Sequence, residues 1–330
     1  MKNFCILGGD GVFGIHMAKY LLDNNLAEKV ICVGRNPQKP PVYTLNVGLN
    51  DARYKYYQIH ITHELDALFE MFDVEKPNCI INFAALAYAT SWTKSYRYYE
   101  TNVVALAKMT EIIRTKNYFK HWMQIGSSEV YGSCEEFAAT EQTPLLSTSP
   151  YSVSKAAGDM HLMTYYKTLD FPMNIIRPSN AYAPGQQLYR VIPRAIYCGL
   201  NKIKLPLEGG GKVEKSFMHA RDMANAIFQI IDRAPRGEIY NAGPKEPVTI
   251  RQIIEVVAKT IGIRFDELCE IVPGRVGEDN RYWLNNTKIE KELNWKCEIS
   301  LEEGIAEMVN WGKKYNNELK NMPQQYVLRF

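Results

Sequence analysis

The chain has 330 residues, 46% of them apolar and 23% charged, a composition that suits a soluble fold with one large core or two packed ones. Lys plus Arg (39) nearly balances Asp plus Glu (36), so a nucleic-acid or polyanion partner over the whole surface is not expected. No stretch approaches the roughly 20 apolar residues of a membrane span, and the N-terminus lacks the apolar core and cleavage site of a signal peptide, so a cytoplasmic protein is expected.

Short apolar runs at 3–7, 30–33, 56–61, 79–83, 121–125 and 173–177 read as strands. Helical spacing intervenes at 15–22, 65–72, 98–113 and 156–167. This alternation predicts an α/β fold with a doubly wound parallel sheet, buried on both faces. After Pro178 the pattern shortens, broken by Pro184, Pro193, Pro206 and the Gly209-Gly210-Gly211 triplet, and helical patterns resume at 222–231, 250–261 and 301–311. The expected organisation is a doubly wound parallel-sheet domain from 1–177 plus about 213–241, with a smaller C-terminal α/β domain from 178–212 and 242–330. From about residue 316 the periodicity lapses, which predicts a loosely held tail. The seven cysteines are scattered and include no C-x-x-C pair, so they read as free thiols in a reducing compartment.

Between the first apolar run and the first helical pattern lies Gly8-Gly9-Asp10-Gly11-Val12-Phe13-Gly14. A phosphate-binding turn needs a flexible bend, close approach to a pyrophosphate and tight helix–strand packing, and Gly8, Gly11 and Gly14 supply these at three-residue spacing. The helix that follows turns its free N–H groups toward the phosphates. The second strand ends in Val33-Gly34-Arg35-Asn36, without the acid that bonds a ribose 2′-hydroxyl. Arg35 offers a fork suited to phosphate, which favours NADP over NAD.

Tyr151 and Lys155 stand four residues apart, on one face of a helix. A phenol has an ordinary pKa of about 10, and an adjacent ammonium lowers it. The run Gly126-Ser127-Ser128-Glu129-Val130-Tyr131-Gly132 directly follows a strand, where a parallel sheet faces its ligand crevice. There Ser127 can hydrogen-bond a sugar hydroxyl and Glu129 can move a proton. The histidines His16, His60, His63, His121, His161 and His219 show no ligand spacing, so no metal site is expected.

These motifs, with Asn82-Phe83-Ala84-Ala85, Ser149–Lys155, Arg177–Gly185, Lys215–Asp222, Tyr240–Gly243 and Leu293–Lys296, resemble the extended short-chain dehydrogenase/reductase superfamily. The group they resemble most is the nucleotide-sugar 4,6-dehydratases, with epimerase and decarboxylase relatives. The resemblance covers nearly the whole chain in order, and it implies that the first domain is a dinucleotide-binding Rossmann domain and the second a substrate domain. It implies a tightly bound NADP or NAD that is regenerated in each turnover, and a nucleotide-diphosphate sugar as substrate. It implies Tyr151, Lys155, Ser127, Ser128 and Glu129 as catalytic residues. The cofactor contacts it implies are Gly8, Gly11, Val12, Phe13, Gly14, Arg35, His60, Ile61, Ala84 and Ala85, together with Tyr151 and Lys155. For the substrate it implies Asn180, Lys215, Asn241, Arg275 and Arg281, each equally open to a surface or packing role.

Departures from the family pattern are Leu7 for a Thr, His60 for an adenine-contacting Asp, Ser128 for an acid, Ala183 for a Gly and Lys215 for an Arg. Epimerases usually lack the Glu at position 129, and a decarboxylase would need an arginine near its substrate carboxylate, for which Arg190 or Arg194 is available. Relatives pair the helices around 98–113 and 156–163 across a dimer axis, so a homodimer or tetramer is the expected assembly.

Overall fold

The computed structural model describes residues 2–87, 94–274 and 281–324. Seven strands form one sheet: β1 (Asn3–Leu7), β2 (Lys29–Gly34), β3 (Tyr54–Gln58), β4 (Cys79–Asn82), β5 (His121–Ile125), β6 (Met173–Pro178) and β7 (Ile239–Ala242). Their spatial order is β7-β6-β5-β4-β1-β2-β3, with every neighbouring pair parallel. Alternate residues of a strand face opposite ways, and both faces here are covered. Phe4 and Ile6 pack under α1 (Val12–Asp23), while Cys5 and Leu7 pack under α2 (Leu65–Glu75), α3 (Ala105–Ile113) and α4 (Pro150–Leu169).

A further core gathers residues of α5 (Val191–Leu200), α7 (Ile250–Ile261) and α8 (Leu301–Lys314), among them Ile196, Val257 and Ile305. Val42, from the segment between β2 and β3, joins this core, and its carbonyl accepts from Trp311 Nε1 at 2.8 Å. That segment thus reaches both cores, because Val47, further along it, packs with the residues between the sheet and α1. The remaining long helix, α6 (Ala220–Arg233), lies against α1, so the chain does return to the sheet after its excursion.

Three local expectations change. The tail is held: Leu319 is buried, and Tyr43 Oη donates to Met322 Sδ at 2.9 Å, so apolar burial anchors the chain at least that far. The strand expected at 56–61 ends at Gln58, and Ile59 and Ile61 are buried in the turn that follows. The helix expected at 98–113 is α-helical at Tyr96–Tyr99 and Ala105–Ile113 but π-helical at Glu100–Val104. The seven cysteines are all free thiols. Among the described residues no helix is long and apolar enough to cross a membrane, and no group of three or more His, Cys, Asp or Glu is disposed to hold a metal ion.

Candidate active site

The strand order reverses between β1 and β4, and the loops leaving their C-terminal ends open a crevice there. The glycine turn lies on one side of it. Gly8 has φ +76°, and a Cβ on it would come within 2.8 Å of the Ala84 amide nitrogen, so this position requires glycine. A Cβ on Gly14 would sit 2.4 Å from the Gly8 carbonyl, which is how α1 comes to start so close to the turn. Gly11 is the N-cap of α1, with no side-chain cap and no acid in the first turn. The first N–H groups of the helix are thus left for an anion, and a dinucleotide pyrophosphate fits this cradle. Val12 and Phe13 form that first turn. Ala84 and Ala85 are half-buried just beyond β4, across from Gly8.

Arg35 is exposed at the end of β2, and His60 and Ile61 follow β3. His60 stacks on His63 with ring centroids 4.4 Å apart, and its imidazole pKa is lowered by burial first, then by His63 and Arg35.

On the other side, α4 carries the tyrosine and lysine. Ser149 caps it reciprocally with Ser152, and Pro150 opens its first turn, so the helix begins ahead of Tyr151. Tyr151 is half-buried, with its ring edge-on to Tyr98 at 6.3 Å. Burial raises its phenol above the ordinary value and Glu129 adds to this, while a hydrogen bond with Ser127 and the Arg190 guanidinium pull it down. The sequence suggests that Lys155 does the lowering. In the structure Lys155 Nζ donates to the Ile125 carbonyl at 2.5 Å, and the Arg190 guanidinium, at the N-cap of α5, is a cation that lowers the phenol. Burial brings the Lys155 ammonium down to about 8, opposed by Asp159 one turn further along the helix.

Ser127, Ser128 and Glu129 leave β5 in a short 3-10 turn, Ser128–Tyr131, capped by the Ser127 hydroxyl, which accepts from Glu129 N at 3.2 Å. Ser127 and Ser128 are buried, and Glu129 is half-buried. The structure thus brings Ser127, Glu129, Tyr151 and Lys155 together at the C-terminal end of the sheet.

A buried network supports them. Arg177 Nε donates to Asp159 Oδ2 at 2.8 Å, and Arg177 Nη1 donates to Tyr131 Oη at 2.8 Å. Tyr131 Oη in turn donates to Asn241 Oδ1 at 2.8 Å. Asn241 is 0% exposed, and its Nδ2 donates to the Ala139 carbonyl at 2.9 Å. The expectation that Asn241 touches substrate is corrected accordingly: its polar groups are spent inside the protein, beneath the site. Asn180 is half-buried in a short strand, Asn180–Tyr182. Lys215 lies over the Tyr282 ring at 5.5 Å, and Arg281 Nε pairs with Glu214 Oε2 at 2.9 Å. Arg281 also lines a cleft of about 280 Å³ with Lys212, Glu214 and Glu135. Arg275 lies outside the described residues.

Sequence reasoning passes over Asn102, Asp159, Arg177 and Asp10. Asn102 Nδ2 donates to Ser154 Oγ at 2.9 Å, and its Oδ1 accepts from Leu86 N at 3.0 Å, joining α4 to the loop after β4. Nothing in its helical run flags it. Asp159 was legible as the residue one turn beyond Lys155.

A sheet with this order, a glycine turn at the switch point and a Ser–Tyr–Lys set on adjoining elements define an extended short-chain dehydrogenase/reductase. The chain belongs to the GDP-mannose 4,6-dehydratase family, whose model matches residues 5–308. It is 28% identical to the dTDP-glucose 4,6-dehydratase of Haemophilus influenzae over 334 residues, covering 94% of this chain and 98% of that one. It resembles the crystal structure of dTDP-glucose 4,6-dehydratase from Bacillus anthracis in complex with NAD, with a TM-score of 0.85, 29% identity, and 96% and 98% of the two chains covered. It also matches a trifunctional UDP-glucose 4,6-dehydratase, 3,5-epimerase and reductase of Arabidopsis thaliana at 25% identity, spanning 94% of this chain but only 47% of that protein's length.

Proposed function

We propose that the chain is a nucleotide-sugar 4,6-dehydratase, converting a nucleotide-diphosphate hexose to its 4-keto-6-deoxy form. The observation that carries this reading is Glu129 beside Tyr151, with Ser127 bonded to the phenol. A base for carbon 5 and a base for the 4-hydroxyl thus share one site, which a simple epimerase does not need.

Tyr151, as phenolate, takes the proton of the sugar 4-hydroxyl. Ser127 holds that oxygen, and the Arg190 charge favours the phenolate. A nicotinamide dinucleotide, held by the Gly8, Gly11 and Gly14 turn and the first turn of α1, would supply reversible hydride chemistry between carbon 4 and carbon 6. Once carbon 4 is a ketone, the proton on carbon 5 is acidic, and Glu129 removes it. Hydroxide then leaves carbon 6 and is protonated by Glu129 or an ordered water, because Ser128 replaces the usual acid, and a proton from water then restores the hydrogen on carbon 5. The diphosphate is read by Asn180, Lys215, Arg275 and Arg281 in the 178–212 and 242–330 region and the adjoining strands.

The cofactor is a nicotinamide dinucleotide. Arg35 favours NADP, the Bacillus anthracis relative was crystallised with NAD, and Asp10, packed against Gly34, opposes a 2′-phosphate. The free thiols support a reducing, cytoplasmic setting. Tyr96, Tyr99, Val153 and Met160 are exposed apolar side chains on the helices that relatives pair, which supports a homodimer or tetramer.

Deuterium placed on carbon 4 of an active nucleotide sugar is expected on carbon 6 of the product; its loss to solvent or retention at carbon 4 refutes the scheme. One observation favours a second reading. Arg190, acting on Tyr151, could also bind the carboxylate of a nucleotide-linked glucuronic acid, making the chain a decarboxylase. Release of carbon dioxide from that substrate, with none of the deuterium transfer, would select it.

A further inference from the structure

The acid that holds a ribose 2′-hydroxyl in this kind of fold stands at the end of the second strand. Here β2 ends in Gly34, which has no side chain. The space a side chain would take there is filled: a Cβ on Gly34 would lie 2.5 Å from Asp10 Cγ and 2.6 Å from Asp10 Oδ1. Asp10 comes from the glycine turn after β1, and its side chain is 13% exposed. Two neighbours hold it from the loop after β2. Asn36 Nδ2 donates to Asp10 Oδ2 at 3.3 Å, and Lys39 Nζ lies 3.4 Å from the same oxygen while donating to the Asp10 backbone carbonyl at 2.6 Å. Asn36 is itself fixed, its carbonyl accepting from Tyr56 Oη at 2.5 Å. The carboxylate is thus built into the end of β2 from another part of the chain, between fixed partners. Its negative field reaches Cys32, Tyr54 and Tyr56, whose ionisation it opposes.

We propose that Asp10 determines cofactor choice, accepting a hydrogen bond from the adenosine-ribose 2′-hydroxyl of NAD and repelling the 2′-phosphate of NADP. The glycine turn thereby supplies the acid that β2 lacks, and Asp10 outweighs Arg35, which is exposed. This rests on the crevice being a dinucleotide site.

The test is binding to the full chain, without substrate. Dissociation constants for NADH and NADPH are read from nicotinamide fluorescence for the wild type, Asp10→Asn and Asp10→Ala, and dinucleotide released from each purified protein is identified by mass spectrometry. The wild type is expected to prefer NADH about tenfold or more, and both variants to narrow that ratio about tenfold, chiefly by tighter NADPH binding. Asp10→Asn keeps the shape of the side chain, so a folded protein is available even if Asp10→Ala is not. A wild-type preference for NADPH, or an unchanged ratio in a folded variant, overturns the proposal. Failure of the wild type to bind either dinucleotide overturns the cofactor reading itself, an outcome distinct from both.

Discussion

In the proposed scheme Glu129 and Tyr151 divide the proton work, so their variants are expected to fail at different steps. Tyr151→Phe removes the first base, and turnover should fall by roughly 10²–10⁴ with no reduced nicotinamide formed. Glu129→Gln keeps the first base, so mixing with substrate should give absorbance at 340 nm that persists while product formation drops by a similar factor. Equal loss of both signals in the two variants would contradict this division. Lys155 adds a pH dependence. Its ammonium titrates at about 8 because burial depresses it and Asp159 only partly restores it. The cationic form exists below that pH and is lost above it, so kcat/KM is expected to decline on the alkaline side near 8. Asp159→Asn removes the restoring charge and should move that decline to lower pH. A profile that loses height without shifting would reduce Asp159 to a packing role.

At the scale of elements, α4 is docked by close contacts rather than by a broad apolar stripe. A Cβ on Gly158 would lie 3.0 Å from the Asn102 carbonyl, so the helix and the π-helical stretch nearly touch at their backbones. Gly158→Val must force them apart, at a cost of about 1–3 kcal/mol. A lowered denaturant midpoint with unchanged slope would register it. This also explains what the sequence concealed. The strands of the sheet are legible because runs buried on both faces read as continuous apolar segments. The first turns of α4 are small and polar yet partly buried, so helical spacing is visible only from 156 although the helix starts at Pro150. The π-helical stretch carries no signal of its own. The two- and three-residue strands around Lys215 and Asn180 are too short for any period to show. At the site, Ser127, Glu129, Tyr151 and Lys155 could be named because their motifs are local. Arg177, Asn102 and Asp10 act across long stretches of chain, and only folding brings their partners near.

For the molecule as a whole, three buried histidines govern acid stability. Burial lowers His16 to about 4, and His121 and His219 to about 3. His16 bonds the Pro184 carbonyl at 2.9 Å, and its ring lies 6.3 Å from that of His219, so both lie where α1 meets residues from beyond the sheet. In an unfolded chain each would take a proton near pH 6.5. As pH falls below that value the unfolded state gains protons that the folded state refuses, so stability present at neutral pH is lost progressively, down to about pH 4 for His16. Each histidine contributes about 2 kcal/mol between pH 6.5 and 5. The melting temperature is expected to drop over that interval, and His16→Gln to flatten the slope. A flat wild-type profile from pH 7 to 5 would contradict the assignment.

The sheet is completed late. Strand β6 is laid down by Pro178, but its outer neighbour β7 is not synthesised until Ala242. In the interval a nascent chain carries an open parallel edge whose Met173, Ile175 and Ile176 are all wholly buried in the finished protein. Such an edge is a template for pairing with other chains. A chain cut short between these points would therefore keep a sticky edge, and the last strand acts as the closing seam of the sheet.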